Sequence, residues 1–309
     1  MGVAAATLLV SVEVKQRKAV QAGMKQVSKL FRVHHGPFGH VSVLELTSEL
    51  VTHVHSSANV SFWLSGAPAQ VSINGRPIGH DRHSAAFINP LVPHCLKVAE
   101  DDEPAQTLSF YLDCDWLAKA LPAHLPEDCA YLDLTISPAL RDELWMLADM
   151  LLDGSVDDMD LDCALIAFLR RAIQACRRGQ ASTVQRSSKP RDFRLRKAVS
   201  LMRANIARGL DMETVARASG LSRPHFFSIF RNEYDLTPGL FWNSLRLEEA
   251  VHQMRESHES LTAVASNLGF NAQGNFTRFF RQHTGVAPSA YRYALTQRLQ
   301  PPPIRRRHT

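Results

Sequence analysis

The chain has no apolar run approaching the roughly 18 residues that would suggest a membrane span, so none is expected. Cysteine is sparse and unpatterned. The five residues Cys95, Cys114, Cys129, Cys163 and Cys176 are odd in number, scattered, and form no CxxC pair. That argues against a disulfide scaffold and a thiolate zinc site, and points to free thiols in a reducing cytoplasm. A secretory leader is also missing from the expectations. The stretch "AAATLLVSV" is short and lacks a basic n-region, so the protein is expected to be cytoplasmic. Overall charge is low, at +5 over 309 residues, but it is unevenly placed. Residues 186–309 hold 20 Lys and Arg against 9 Asp and Glu, a net of +11, whereas residues 1–185 hold 15 against 21, a net of −6. A basic C-terminal part joined to an acidic remainder suits a nucleic-acid module attached to something that avoids nucleic acid.

The segment "LGFNAQGNFTRFFRQHTGVAPSAYR" shows what the basic part is built from. Phe276, Phe279 and Phe280 recur at i, i+3 and i+4, which places them on one helical face. Gly274, Thr277, Arg278 and Arg281 fall opposite. Upstream, Leu261, Val264, Ala265 and Leu268 form another stripe behind a candidate N-cap, Ser260, and Gly269 lies in the turn between. A helix, a Gly turn and a second helix with a basic face make a helix-turn-helix. The layout occurs twice. Val215, Ala216 and Gly220 match Val264, Ala265 and Gly269 at a shift of 49, while Phe226, Phe230, Arg231 and Pro238 match Phe276, Phe280, Arg281 and Pro288 at 50. The second copy therefore carries one extra residue in its turn. Between them, Thr237 and Pro238 begin a linking helix with Phe241, Leu245 and Ala250 on its buried stripe. A rigid connection would let two reading helices enter successive major-groove segments about 34 Å apart.

On Gly269, Phe270, Phe276, Phe280, Arg281, Gly285, Pro288, Tyr291 and Arg292, the segment from about 191 to 292 resembles the DNA-binding domain of the AraC/XylS family of transcription regulators. One departure is Asp235, which stands where the second repeat has Gly285 and suggests a less regular helix end. The resemblance implies double-stranded operator DNA as partner, RNA polymerase as a further one if the protein activates, and no enzymatic activity. Activation is the commoner outcome in the family. The expected base-reading residues are Arg223, Pro224, Phe227 and Ser228 in the first unit and Gln273, Gly274, Thr277 and Arg278 in the second. Arg278 suits guanine, Gln273 adenine and Thr277 a thymine methyl. Arg231 and Arg281 are expected on phosphates, and Phe227 either meets thymine methyls or packs on the linking helix.

The N-terminal half reads as short β-prone runs broken by Gly, Pro and Asn, including Asn74-Gly75 at a hairpin position. The expected fold is α+β in two domains. An antiparallel barrel or double-sheet jelly roll with flanking helices would precede an all-α tandem helix-turn-helix. His53 and His55 in "HVH", with His94 in "VPHC", resemble the pattern of a cupin, in which two histidines on one strand and a third on a later strand gather around a metal. The following stretch "SSANVSF" lacks the expected carboxylate, which argues against a catalytic metal; no cofactor is expected, and a metal on the three histidines stays as an alternative. Similarity to the family's regulatory cupins instead implies that His53, His55 and His94 contact a small-molecule effector, with purely structural roles as the plain alternative. Phe62 and Trp63 alternate in one strand, so one should face the interior. Leu140, Leu144, Leu147 and Leu151, then Leu161, Leu165, Leu169 and Ile173, mark two helices expected to pair two copies of the chain, unless they simply cover the barrel.

The expected layout is an extension over 1–30, a cupin-like regulatory domain over 31–135, the helical pair over 136–178, a linker over 179–190, the DNA-binding domain over 191–295 and a basic tail over 296–309. Two rivals remain. One is a ligand-independent dimeric regulator. The other is a metal-dependent cupin enzyme fused to a DNA-binding tail, which needs the carboxylate that is missing.

Overall fold

The computed structural model describes residues 27–73, 75–99, 103–120, 129–176, 181–183, 192–206 and 211–296. Nearly all of the expected N-terminal extension, Asn74, most of the linker and all but the first residue of the basic tail lie outside the described residues.

Eleven strands among the described residues form two open antiparallel sheets. The larger runs β1 (Lys29–Gly36), β2 (Gly39–Leu46), β9 (Ala105–Leu112), β4 (Ala58–Ser65), β7 (Ser84–Ile88), β10 (Cys129–Thr135) and β11 (Ala181–Thr183). The smaller runs β3 (Leu50–His53), β8 (His94–Val98), β5 (Ala69–Ile73) and β6 (Arg76–His80). The expected closed barrel is thus corrected to a sandwich. The end strands of one sheet do not pair with those of the other, so the double-sheet alternative is the nearer description. Alternation explains the layering. Along β4, Ala58, Val60, Phe62 and Leu64 are buried in a core shared with helices, while Asn59 and Ser61 line the space between the sheets. Phe62 therefore packs outward from the sandwich, 5.2 Å from the ring of Phe168, rather than into its interior.

The helical covering consists of α1 (Cys114–Ala120), α2 (Pro138–Asp153) and α3 (Asp158–Cys176). Ser137 caps α2 through Leu140 N, and Gly154 closes it at φ 65°. The two leucine stripes expected to pair two copies are instead buried in this chain's own core, against Val60, Phe62 and Phe110. A stripe covered by the sandwich is not available to a second copy, so those leucines serve as the sheet's lid.

The C-terminal helices are α4 (Phe193–Ala204), α5 (Met212–Ala218), α6 (Arg223–Tyr234), α7 (Pro238–Glu256), α8 (Leu261–Asn267), α9 (Gln273–Thr284) and α10 (Pro288–Thr296). The repeat is visible in their lengths, since α5 and α8 have 7 residues each and α6 and α9 have 12. The turns begin alike, with Leu221 N bonded to Ala216 O and Phe270 N to Ala265 O, so the extra residue falls just before α9. Thr237 and Ser260 cap α7 and α8 through Leu240 N and Ala263 N.

Asp235 departs from the expectation of an irregular end. It takes φ 56°, and its N–H bonds Arg231 O, just as Gly285 at φ 80° bonds Arg281 O. The local helix-ending bond holds the exposed aspartate in a conformation that costs an L-residue energy. Asp235→Gly is accordingly expected to raise stability by about 0.5–1 kcal/mol in urea denaturation. An unchanged midpoint would show that the left-handed geometry carries no strain.

The two halves share a core. Leu30, Leu44, Leu46 and Val71 of the sheets lie in one buried cluster with Leu247, Phe276, Phe280 and Tyr291 of the helices and Val286 of the loop between α9 and α10. The helices α9 and α7 pack on β3, and α10 packs on β1. At Gly285 the approach is close, since a Cβ there would lie 2.7 Å from Leu46 Cδ2. A polar strut adds to it: Ser56 N donates to Glu248 Oε1 of α7 at 2.8 Å.

Candidate nucleic-acid interface and effector cavity

Each helix expected to read DNA divides cleanly into two faces. On α9, Phe276, Phe280 and His283 are buried, while Gln273, Gly274, Arg278 and Arg281 are exposed and Thr277 is half-buried. On α6, Phe226 and Phe230 are buried, while Arg223, Pro224, Ser228 and Arg231 are exposed. All ten expected DNA-contacting residues thus lie on α6 or α9, and eight of them are exposed. The space above Gly274 is open, with nothing within 4 Å of an added Cβ. Neither helix has a side-chain cap bond at its N-cap residue, Ser222 or Ala272, whereas Asp211, Thr237 and Ser260 cap their neighbours. Uncapped N–H groups at a helix start suit phosphate oxygens.

Phe227 is half-buried, packed on the first-unit core, with the Arg223 guanidinium 5.2 Å from its ring centroid. Gln273 is held from the side by the Thr262 hydroxyl, which donates to its Oε1 at 2.6 Å. That leaves the amide N–H groups for another acceptor. Arg246 of α7 fixes the second turn. Its Nε donates to Leu268 O at 3.0 Å and its guanidinium stacks 3.6 Å from the Phe270 centroid. Burial there lowers its pKa to about 10.

The three expected effector histidines come together at the edge of a small cavity between the sheets. His53 is the last residue of β3 and pairs directly with His94, the first of β8. His55 lies in the following loop rather than on the same strand. Ring centroids are 4.4 Å apart for His53 and His94, 4.8 Å for His53 and His55, and 5.2 Å for His55 and His94. The Nδ1–H of His53 donates to Val51 O at 2.7 Å and that of His94 to Val92 O at 2.8 Å. A carbonyl only accepts, so each ring is the Nδ1–H tautomer with a free lone pair on Nε2. Burial, and then the neighbouring imidazoles, holds His53 and His55 well below the usual range, and burial lowers His94.

Several lining residues were not expected. The inner face of the larger sheet carries Asn59, Ser61, Thr107 and Ser109. Ser61 and Ser109 share a 2.8 Å bond, and His80 Nε2 lies 3.0 Å from the Ser61 hydroxyl. His80 Nδ1 and Thr107 Oγ1 are buried without a partner among the described residues. The signal was present in "NVSF" and "QTLSF", where polar residues occupy alternate positions of apolar strands. His283 of α9, with its ring centroid 6.4 Å from that of His53, was not foreseeable because it comes from the other domain.

Buried imidazoles make stability depend on pH. Burial lowers His35 and His80 to about 4 and His40 to about 3. The unfolded chain binds protons on these groups below pH 6.5, while the folded chain resists them, so stability is full above pH 6.5 and lost as pH falls toward 4. The melting temperature is expected to drop steadily over that window in a buffer series. A flat profile from pH 7 to 4.5 would contradict this burial.

A model of a helix-turn-helix domain matches residues 215–294. The multiple antibiotic resistance protein MarA of Salmonella typhimurium is 31% identical over 88 residues, covering 28% of this chain and 69% of MarA. The chain belongs to the AraC family of transcription regulators. A second AraC-family relative, the regulatory protein PocR of the same organism, is 29% identical over 125 residues, 40% of this chain and 41% of PocR. The chain spans less than half the length of the first curated relatives it matches. Over both domains the fold is like that of ToxT from Vibrio cholerae solved with a bound unsaturated fatty acid, with a TM-score of 0.53 at 13% identity over 85% of this chain and 98% of ToxT. No described helix is long and apolar enough to cross a membrane.

Proposed function

We propose that this AraC-family protein is a sequence-specific regulator whose β-sandwich senses a small ligand and whose two reading helices engage adjacent major-groove segments. The observation that carries the reading is the double role of α9. Its outer face presents Gln273, Arg278 and Arg281 to solvent, and its inner face is packed on β3, whose last residue is His53 at the cavity edge. A ligand that moves β3 therefore acts on a reading helix through direct packing, and it shifts the equilibrium by its differential affinity for the two arrangements. ToxT, of similar fold, was crystallised with a fatty acid. Among the described residues, no Lys or Arg lines the cavity, so a carboxylate head would lack a countercharge there.

Selection of sites from a random DNA pool with the full-length protein tests the DNA-reading half. The expected result is enrichment of a motif about two helical turns long. Salt-sensitive binding without enrichment would mean that a ligand must first release the reading faces. No binding even at low salt would overturn the proposal.

A further inference from the structure

We propose that His53, His55 and His94 bind a divalent transition-metal ion of the zinc, cobalt or nickel class, and that this ion is the signal the protein reads. The second clause rests on the sandwich being the sensory half. One candidate ligand atom from each imidazole lies within 4.8 Å of the other two. In two of the rings Nδ1–H is committed to a backbone carbonyl, at Val51 and Val92, which orients the ring, leaves Nε2 as the donor atom and raises its basicity. Neutral imidazoles, here two buried and one half-buried, are what a borderline-soft dication requires. Among the described residues, no Lys or Arg lines the cavity to repel it. Three protein ligands leave one coordination position for water or an anion.

Binding has a mechanical consequence. At metal–nitrogen distances of about 2.0–2.1 Å, tetrahedral ligand atoms lie roughly 3.4 Å apart. The cluster must therefore contract, drawing the ends of β3 and β8 and the His55 loop together. The ring of His283, on the inner face of α9, is 6.4 Å from His53, and its Nδ1 is bonded to Phe279 O at 2.7 Å. Contraction at the end of β3 changes the surface against which α9 rests. The metal is thereby coupled to the second reading helix, with His283 as a positioning residue.

The test is titration of cobalt(II) into full-length protein stripped with a chelator. Wild type is expected to develop visible d–d absorption that saturates at one equivalent and is bleached by zinc. His94→Gln and His55→Gln should each weaken uptake by more than about 100-fold, beyond the range of outer-shell changes. His55 is in a loop and only half-buried, so its variant should fold even if the His94 variant does not. Absence of the band in wild type, or a band unchanged in both variants, overturns the site. DNA affinity measured with and without cobalt is expected to differ at least tenfold, and His283→Gln should keep the band but lose that difference. A band with unchanged DNA affinity overturns the signalling clause alone. Absence of DNA binding in every metal state would overturn the regulator reading, while the band would still decide the metal site.

Discussion

Replacing Phe280 with alanine is expected to remove about 3–5 kcal/mol of stability and to uncouple the reading helix from the sandwich. The side chain is fully buried. Its ring lies 5.7 Å from Phe276 and 5.3 Å from Tyr291, inside the cluster that joins both halves. The cavity left by the ring would be walled by residues from two domains, whose relative positions are also fixed by the Glu248–Ser56 bond and by Gly285 against Leu46. Collapse around the void is therefore restricted, which places the cost toward the upper end. Urea unfolding followed by tryptophan emission checks this, because Trp63, Trp116 and Trp145 report the N-terminal half and Trp242 the C-terminal half. Both signals should move to lower denaturant. A loss below 1 kcal/mol, or a shift confined to the C-terminal signal, would show that the cluster is not a shared core. Phe279→Ala is a milder comparison, since that ring is only half-buried.

Arg278→Ala and Arg281→Ala are expected to fail in different ways. Arg278 is on the exposed face one turn into α9, where a guanidinium can bond a guanine edge with two N–H groups. Its loss should cost about 1–3 kcal/mol, or about 5- to 150-fold, at one base position and relax preference there. Arg281 lies further from the helix start, among the positions suited to phosphate. Its loss should weaken all sequences alike and reduce the salt slope by about one. Competition binding on a panel of single-base operator variants, repeated at two salt concentrations, separates the two outcomes. If Arg278→Ala lowered all sites equally, the division between base and phosphate contacts would be reversed.

The DNA-binding half was legible because its chemistry is local. Helical spacing of Phe226, Phe230, Phe276 and Phe280, caps at Thr237 and Ser260, and a glycine in each turn are written in consecutive residues, and the structure places them as the spacing implies. Asp235 was misjudged because the local helix-ending bond to Arg231 O is made by the backbone and outweighs the residue's own preference. The sandwich was legible only as strands. Whether sheets close depends on which edges meet, and alternation within a strand says nothing of that. The leucines of α2 and α3 illustrate the same gap, because an apolar stripe records that it is covered and not by what. The pairing of His53 with His94 arises from a cross-strand register, and His283 joins them through docking of a separate domain. Both are long-range facts that no spacing encodes.

The shared core also limits how such a protein can be rebuilt. Leu30, Leu44 and Leu46 are kept from water partly by α9 and α10, and Phe280 and Tyr291 are kept from water partly by the sheets. The two halves are therefore not interchangeable cassettes. Grafting residues 192–296 onto a foreign sensor would bare sticky apolar surface on both pieces, and such hybrids should precipitate unless the donor's matching surface is transplanted with them. Drift at this seam must be paired, one side answering the other, while the solvent-facing positions of α6 and α9 are free of that constraint.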